Sequence, residues 1–134
     1  MGNVTGIVAD YQTGPLGDCY YPANGSLTSL ASLINAGSQY ATNAGLYHYT
    51  TTTNQVKETN SVVDIGFHLV ALNPQLSTLN LVDTDGDTFA DVAEDLDGDG
   101  VFDAGTAETD WKIYNSPMGI GTNGPGLVLF TPLK

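Results

Sequence analysis

Between Asp83 and Asp110 the chain reads DTDGDTFADVAEDLDGDGVFDAGTAETD, with acids at Asp83, Asp85, Asp87, Asp91, Glu94, Asp95, Asp97, Asp99, Asp103, Glu108 and Asp110 and no Lys or Arg. The remaining acids, Asp10, Asp18, Glu58 and Asp64, nearly balance three lysines, so the net charge of -12 is one local feature. Neighbouring carboxylates repel by about 1 kcal/mol at 4 Å in water, and by several times that at lower effective dielectric. A folded segment of this density needs a counter-charge; without one it stays solvated. Spacing favours the first alternative. Counted from Asp83, side-chain oxygens fall at positions 1, 3, 5, 9 and 12 (Asp83, Asp85, Asp87, Asp91, Glu94), with the Phe89 carbonyl at position 7. Oxygen donors in that order wrap a calcium ion, the last Glu through both oxygens. From Asp95 the order recurs as Asp95, Asp97, Asp99, the Val101 carbonyl and Asp103, with Gly100 where the loop must turn sharply. Two Ca2+ ions are expected.

Two departures matter. Thr88 stands at position 6 of the first loop, where a turn favours Gly. Thr106 stands at position 12 of the second, so Glu108, Asp110 or water is left to close it. The second loop begins directly after Glu94, which leaves residues 89–95 room for a turn or two of helix. Phe89, Val92, Val101 and Phe102 fall at inward-facing spacings. The segment is EF-hand-like. It resembles the aspartate-rich calcium strings of thrombospondin type 3 repeats and of similar segments in secreted bacterial proteins, with dockerin-type loops a looser relative. That resemblance implies calcium and an extracellular setting.

Other residues offer other chemistry. His48, Asp64 and His68 form a two-histidine, one-carboxylate set that can hold iron, copper or zinc with open positions. The competing expectation is that both histidines pack among tyrosines. A hydrolase triad from His68, Asp64 and a serine lacks any GxSxG context. A carboxylate pair for glycoside cleavage must come from Asp10, Asp18, Glu58 and Asp64. Seven tyrosines and Trp111 suit sugar rings as stacking platforms, or equally serve as strand filler. An enzyme acting on an extracellular polymer and a glycan-binding module therefore stand as alternatives to a structural or adhesive calcium module.

These side chains must be positioned by one domain, since 134 residues suffice for a single core. Sixteen glycines and abundant Thr, Asn and Ser imply many turns and few long helices. Three basic residues exclude nucleic acid, and the same deficit argues against anionic membranes. No apolar run reaches membrane-spanning length. Cys19 is alone, so an internal disulfide is excluded and metal is left to do the stapling. Met1-Gly2 reads as a start placed on an excised piece. Loops of this kind suit millimolar extracellular calcium, so the parent is expected to be secreted or at the cell surface, its export signal lying elsewhere.

In chain order, residues 3–11 predict a strand ended by the turn chemistry of residues 13–17. Asn3-Val4-Thr5 and Asn24-Gly25-Ser26 match the glycosylation pattern. Leu27, Leu30, Ala31 and Ile34 predict a helix with Ser26 as N-cap and Gly37 after its end. Strands are expected over 44–53 and over 61–72, the latter with Val63, Ile65, Phe67 and Leu69 on one face. Trp111, Ile113 and Tyr114 restart apolar structure. A loop over 115–126 leads to an edge strand, Gly126–Leu133, open to pairing with another copy. The pair SLINAGS and VDIGFH is similar to the closing coils of secreted right-handed parallel β-helix proteins, with Asn35 and His68 replacing the usual acids. The expected fold is mainly β: a small module, β-helix-end-like or sandwich-like, with one short helix. Its parts are a β-rich core (1–82), the calcium segment (83–110) and a C-terminal strand region (111–134).

Overall fold

The computed structural model describes residues 10–74 and 80–114. The glycosylation pattern at Asn3, the loop over 115–126 and the Gly126–Leu133 strand lie outside them, as does most of the 3–11 strand. Among the described residues regular structure is sparse: a few short antiparallel strands and two single-turn α-helices, consistent with a mainly β chain only in that loose sense.

Strands β1 (Gln12–Gly14) and β2 (Gly17–Tyr20) form an antiparallel hairpin. Thr13 and Gly14 therefore belong to a strand, and the turn is confined to Pro15 and Leu16. Tyr20 and Tyr21 are fully buried, and Tyr21 donates through its hydroxyl to the Ile65 carbonyl. Tyr21, Leu30 and Leu33 make a small apolar cluster, with Tyr11 and Ile34 against it. Helix α1 is Ala41–Ala44, ended by Gly45 in the left-handed region. Strands β3 (Tyr49–Thr50) and β4 (Leu69–Val70) pair antiparallel, and helix α2 is Asp91–Glu94.

The expected helix around Leu30 is instead two 3-10 turns, Gly25–Leu27 and Ser29–Ser32. Thr28 between them is extended, and its side chain caps the second turn by accepting from Leu30 N at 3.2 Å. Asp10 also takes Ser29 N and the Ser29 hydroxyl. Short polar side chains that bond locally compete with an α-helix, and here they prevail over the apolar spacing.

The strand expected over 61–72 survives only as β4 and single bridges from Val62 to Tyr40 and from Leu72 to Leu81. The face expected to carry Val63, Ile65, Phe67 and Leu69 is not a buried one, since Ile65 and Phe67 are exposed. Asp64 lies among the intervening residues and takes Asn35 N at 2.8 Å, so a side chain replaces a ladder bond. Gly37 N also donates to the Val63 carbonyl and Ile65 N to that of Leu33. The SLINAGS and VDIGFH stretches thus pack on each other, with Asn35 at φ 53°. Of 44–53, only Tyr49 and Thr50 form a strand.

Burial is unusually polar. Beside the apolar residues, His48, Thr50, Thr51, Gln55, Glu58, Asp64, Asp87, Asp91, Glu94 and Asp95 are all inside. A fully buried Leu or Tyr contributes about 1.5–3 kcal/mol, whereas each ordered residue costs about 1–2 kcal/mol of backbone entropy. So few apolar anchors among the described residues leave charge and hydrogen bonding a large share there.

A candidate metal centre in two acidic loops

The two acidic loops have the same internal wiring, displaced by twelve residues. Asp83 accepts from Gly86 N (2.7 Å) through Oδ1 and from Thr88 N (3.0 Å) through Oδ2. Asp95 accepts from Gly98 N (2.8 Å) and Gly100 N (2.7 Å) through the corresponding oxygens. The third-position acids, Asp85 and Asp97, accept from Asp87 N and Asp99 N. The fifth-position acids, Asp87 and Asp99, accept from Phe89 N and Val101 N. The backbone follows suit: Gly86 and Gly98 lie at φ 79° and 72°, Thr88 and Gly100 at 86° and 83°. These N–H donors fold each loop around its carboxylates and bring one oxygen from each of Asp83, Asp85 and Asp87 within 4.8 Å of the others. Asp95, Asp97 and Asp99 do the same. Among the described residues these are the groups able to hold a metal ion, and their all-oxygen donor sets suit a hard cation.

Around the first triad, three carboxylate oxygens are buried without a hydrogen-bond partner: Asp85 Oδ2, Asp87 Oδ2 and Glu94 Oε2. They belong to positions 3, 5 and 12. Glu94 is only 1 % exposed, and its other oxygen accepts from the Thr109 hydroxyl at 2.9 Å. Burial, opposed by that bond and reinforced by Asp87, Asp85 and Asp91, pushes the Glu94 carboxyl up to about 7. Burial, with the charges of Asp87 and Asp83, also raises Asp85. Buried carboxylate oxygens without partners are costly. A divalent cation would satisfy them and remove the repulsion together.

Other expected ligands have other partners. Asp91 takes Thr84 N and the Thr84 hydroxyl, each at 2.7 Å, and forms an ion pair with Lys57 Nζ at 2.7 Å. It ties the start of α2 to the rest of the chain. Asp103 is exposed; desolvation by its surroundings and the charges of Glu108, Asp97, Asp99 and Asp95 raise its carboxyl. Glu108 closes the second loop by hydrogen bonds, accepting from Leu96 N (3.2 Å), Asp97 N (3.3 Å) and Asp103 N (2.9 Å). Phe89 and Val101 serve the loops as amide donors. Against the inward spacing read from sequence, Phe89, Val101 and Phe102 are exposed, as are Ile113 and Tyr114, while Trp111 is buried. Within the strap it is carboxylates, Asp87, Asp91, Glu94 and Asp95, that take the inner positions.

The structure does not gather His48, Asp64 and His68. Asp64 accepts from Asn35 N and, at 2.6 Å, from the Thr51 hydroxyl. His68 Nε2 is 3.3 Å from Glu58 Oε1, close enough for an ion pair but misaligned for a hydrogen bond. His48 turns to the acidic segment: Nε2 is 2.8 Å from Asp95 Oδ2, and Nδ1 is 3.2 Å from Lys57 Nζ. Burial and the Lys57 charge lower its pKa, against the opposing bond to Asp95. Its ring meets Trp111 edge-on at 4.9 Å. The remaining carboxylates proposed for sugar chemistry are separately engaged, Asp10 with Ser29, Asp18 with Thr13, and Glu58 with Ser61.

Sequence reasoning missed the contacts of Lys57, Thr84 and Thr109 with the strap. Charge arithmetic could have found Lys57, because a block without cations must borrow one from only three lysines. Set against known proteins, the chain matches no family model, no curated protein and no solved structure.

Proposed function

We propose that this chain is an extracellular calcium-binding module of structural or adhesive type, in which two Ca2+ ions fold and stiffen the strap over residues 83–103. The observation that carries the reading is the set of unpartnered, buried oxygens on Asp85, Asp87 and Glu94, side by side with Asp83. A solvated acid run has no reason to bury carboxylates. Asp83, Asp85, Asp87 and Glu94 would hold the first ion, and Asp95, Asp97, Asp99 and Asp103 the second. The finer architecture, a thrombospondin type 3-like strap on a β-helix-end-like or sandwich-like module, belongs to the same proposal; the antiparallel pairs and the twelve-residue repeat support it.

An ion bound only by the folded chain stabilises by mass action, about 2.7 kcal/mol at a hundredfold excess over its dissociation constant. Such binding would do the work of the disulfides that a single cysteine cannot form. The test is thermal unfolding in calcium and in chelator, with calorimetric titration for stoichiometry. A melting temperature many degrees higher in calcium, with two ions bound, is expected. An unchanged temperature and no heat of binding would sink the proposal.

A further inference from the structure

We propose that His48 is the positioning residue of the second ion site: it holds the Asp95 carboxylate in ligating orientation from outside the strap. The inference rests on the calcium reading above and extends it to a residue remote in sequence. Asp95 is the first-position acid of its loop, buried and already taken by Gly98 N and Gly100 N. The His48 ring adds a third donor at Asp95 Oδ2, at 2.8 Å. Lys57 decides which ring nitrogen donates. Its ammonium lies 3.2 Å from Nδ1, which must accept, so Nε2 carries the proton toward Asp95. The same ammonium grips Asp91 at 2.7 Å. Trp111 stands edge-on against the ring, and Tyr47 meets it edge-on as well, 5.0 Å away between centroids, which leaves the imidazole little freedom to turn. In the first loop the corresponding acid, Asp83, has no histidine: its carboxylate is held by Gly86 N and Thr88 N. Residues that orient a ligand in this way typically alter metal affinity by about 10–100-fold.

The experiment compares His48→Leu, which keeps bulk and removes the donor, with His48→Gln, which can present an amide N–H near the Nε2 position. Calcium titration calorimetry would resolve the two sites, and Tb3+ emission excited through Trp111 and Tyr47 would follow the second, against which Tyr47 lies. Expected are a 10–100-fold weaker second site in His48→Leu, an unchanged first site, and recovery of most of the loss in His48→Gln. Should the leucine variant not fold, His48→Gln is set against the shorter His48→Asn, and only the latter should weaken the second site. Equal second-site affinity in the variants and the parent chain overturns the inference while leaving the calcium reading intact. Equal weakening of both sites, without recovery by Gln, also overturns it. Failure of the parent chain to bind Ca2+ or Tb3+ overturns both.

Discussion

The first acidic loop carries Thr88 where the second carries Gly100, and it buries Asp87, Asp91 and Glu94, whose counterparts twelve residues on are a half-buried Asp99 and an exposed Asp103 and Thr106. Yet the two loops share every bond from an amide at positions 4 to 7 to a carboxylate at positions 1 to 5. Alternating aspartates therefore specify the loop by local bonding, whatever surrounds it. Surroundings set the rest. The first loop is closed by a buried Glu94 at position 12, with an oxygen left for an ion. The second is closed by Glu108, whose oxygens are already occupied by three amides. Firm anchorage also differs. The second loop docks on the N-terminal half through Tyr47 N to the Gly98 carbonyl and through His48 to Asp95. The first docks through Asp91 and Lys57, beyond its own turn.

The sharpest way to break this comparison uses position 4. Gly86 and Gly98 both have left-handed backbone, but a Cβ on Gly86 meets nothing, whereas one on Gly98 would collide with the Gly45 backbone. Alanine in a left-handed position costs about 1–2 kcal/mol, and forced overpacking adds about 1–3 kcal/mol. Gly98→Ala is thus expected to destabilise by about 3 kcal/mol and Gly86→Ala by about 1 kcal/mol, read from denaturant midpoints. Equal losses would mean that the second loop is not docked.

Glu94→Gln separates the loops by their ions. In chelator the variant should be no less stable than the parent, because one buried charge among Asp85, Asp87 and Asp91 is gone. In calcium it should lose the first ion and with it about 2.7 kcal/mol at a hundredfold excess. The second loop, lacking a Glu at position 12, should titrate as before. A variant with an undiminished calcium response would remove Glu94 from the site.

The loops should differ with pH as well. The Glu94 carboxyl sits at about 7 in the folded chain, above its ordinary value of 4.5. The folded state therefore keeps a proton that the unfolded chain releases between those values. In chelator this contribution to stability is complete below 4.5, erodes as pH rises, and is gone above 7. In calcium the direction reverses, since the ion must displace the proton. First-site affinity should fall by up to about tenfold per pH unit below 7. Titration calorimetry in buffers of different ionisation heat would count the proton; none released at pH 6 would contradict the assignment.

How much of this was legible beforehand follows from the range of the interactions. The turns of the loops are local, the carboxylates at positions 1, 3 and 5 each reaching amides two to five residues on, so their order could be read from spacing alone. The one-turn helix over Asp91–Glu94 was legible for the same reason: the second loop starts too soon for more. Strands over 44–53 and 61–72 were legible only at the stretches that pair, Tyr49–Thr50 and Leu69–Val70, because Asp64 accepts from Asn35 N and from the Thr51 hydroxyl where a longer ladder was expected. His48 illustrates the limit. Its chemistry as a ligand-type residue was visible, but its partner lies 47 positions away and only the fold selects Asp95 over Asp64.

Thr88 offers the smallest effect and the finest test. A β-branched residue at φ 86° is strained, and its counterpart Gly100 shows what the turn prefers. Thr88→Gly relieves about 1–2 kcal/mol of left-handed strain and costs about 0.5–1 kcal/mol through the freer unfolded chain. A net gain of about 0.5–1 kcal/mol is expected from these terms, visible as a higher denaturant midpoint in chelator. The hydrogen bond from residue 88 to Asp83 is a backbone one and survives the change. If calcium binding tightens along with stability, strain at position 6 opposes the ion-binding shape of the loop. If stability rises but affinity falls, the threonine holds the turn in a shape that the ion requires, and the two loops differ by design of their turns as well as by their surroundings.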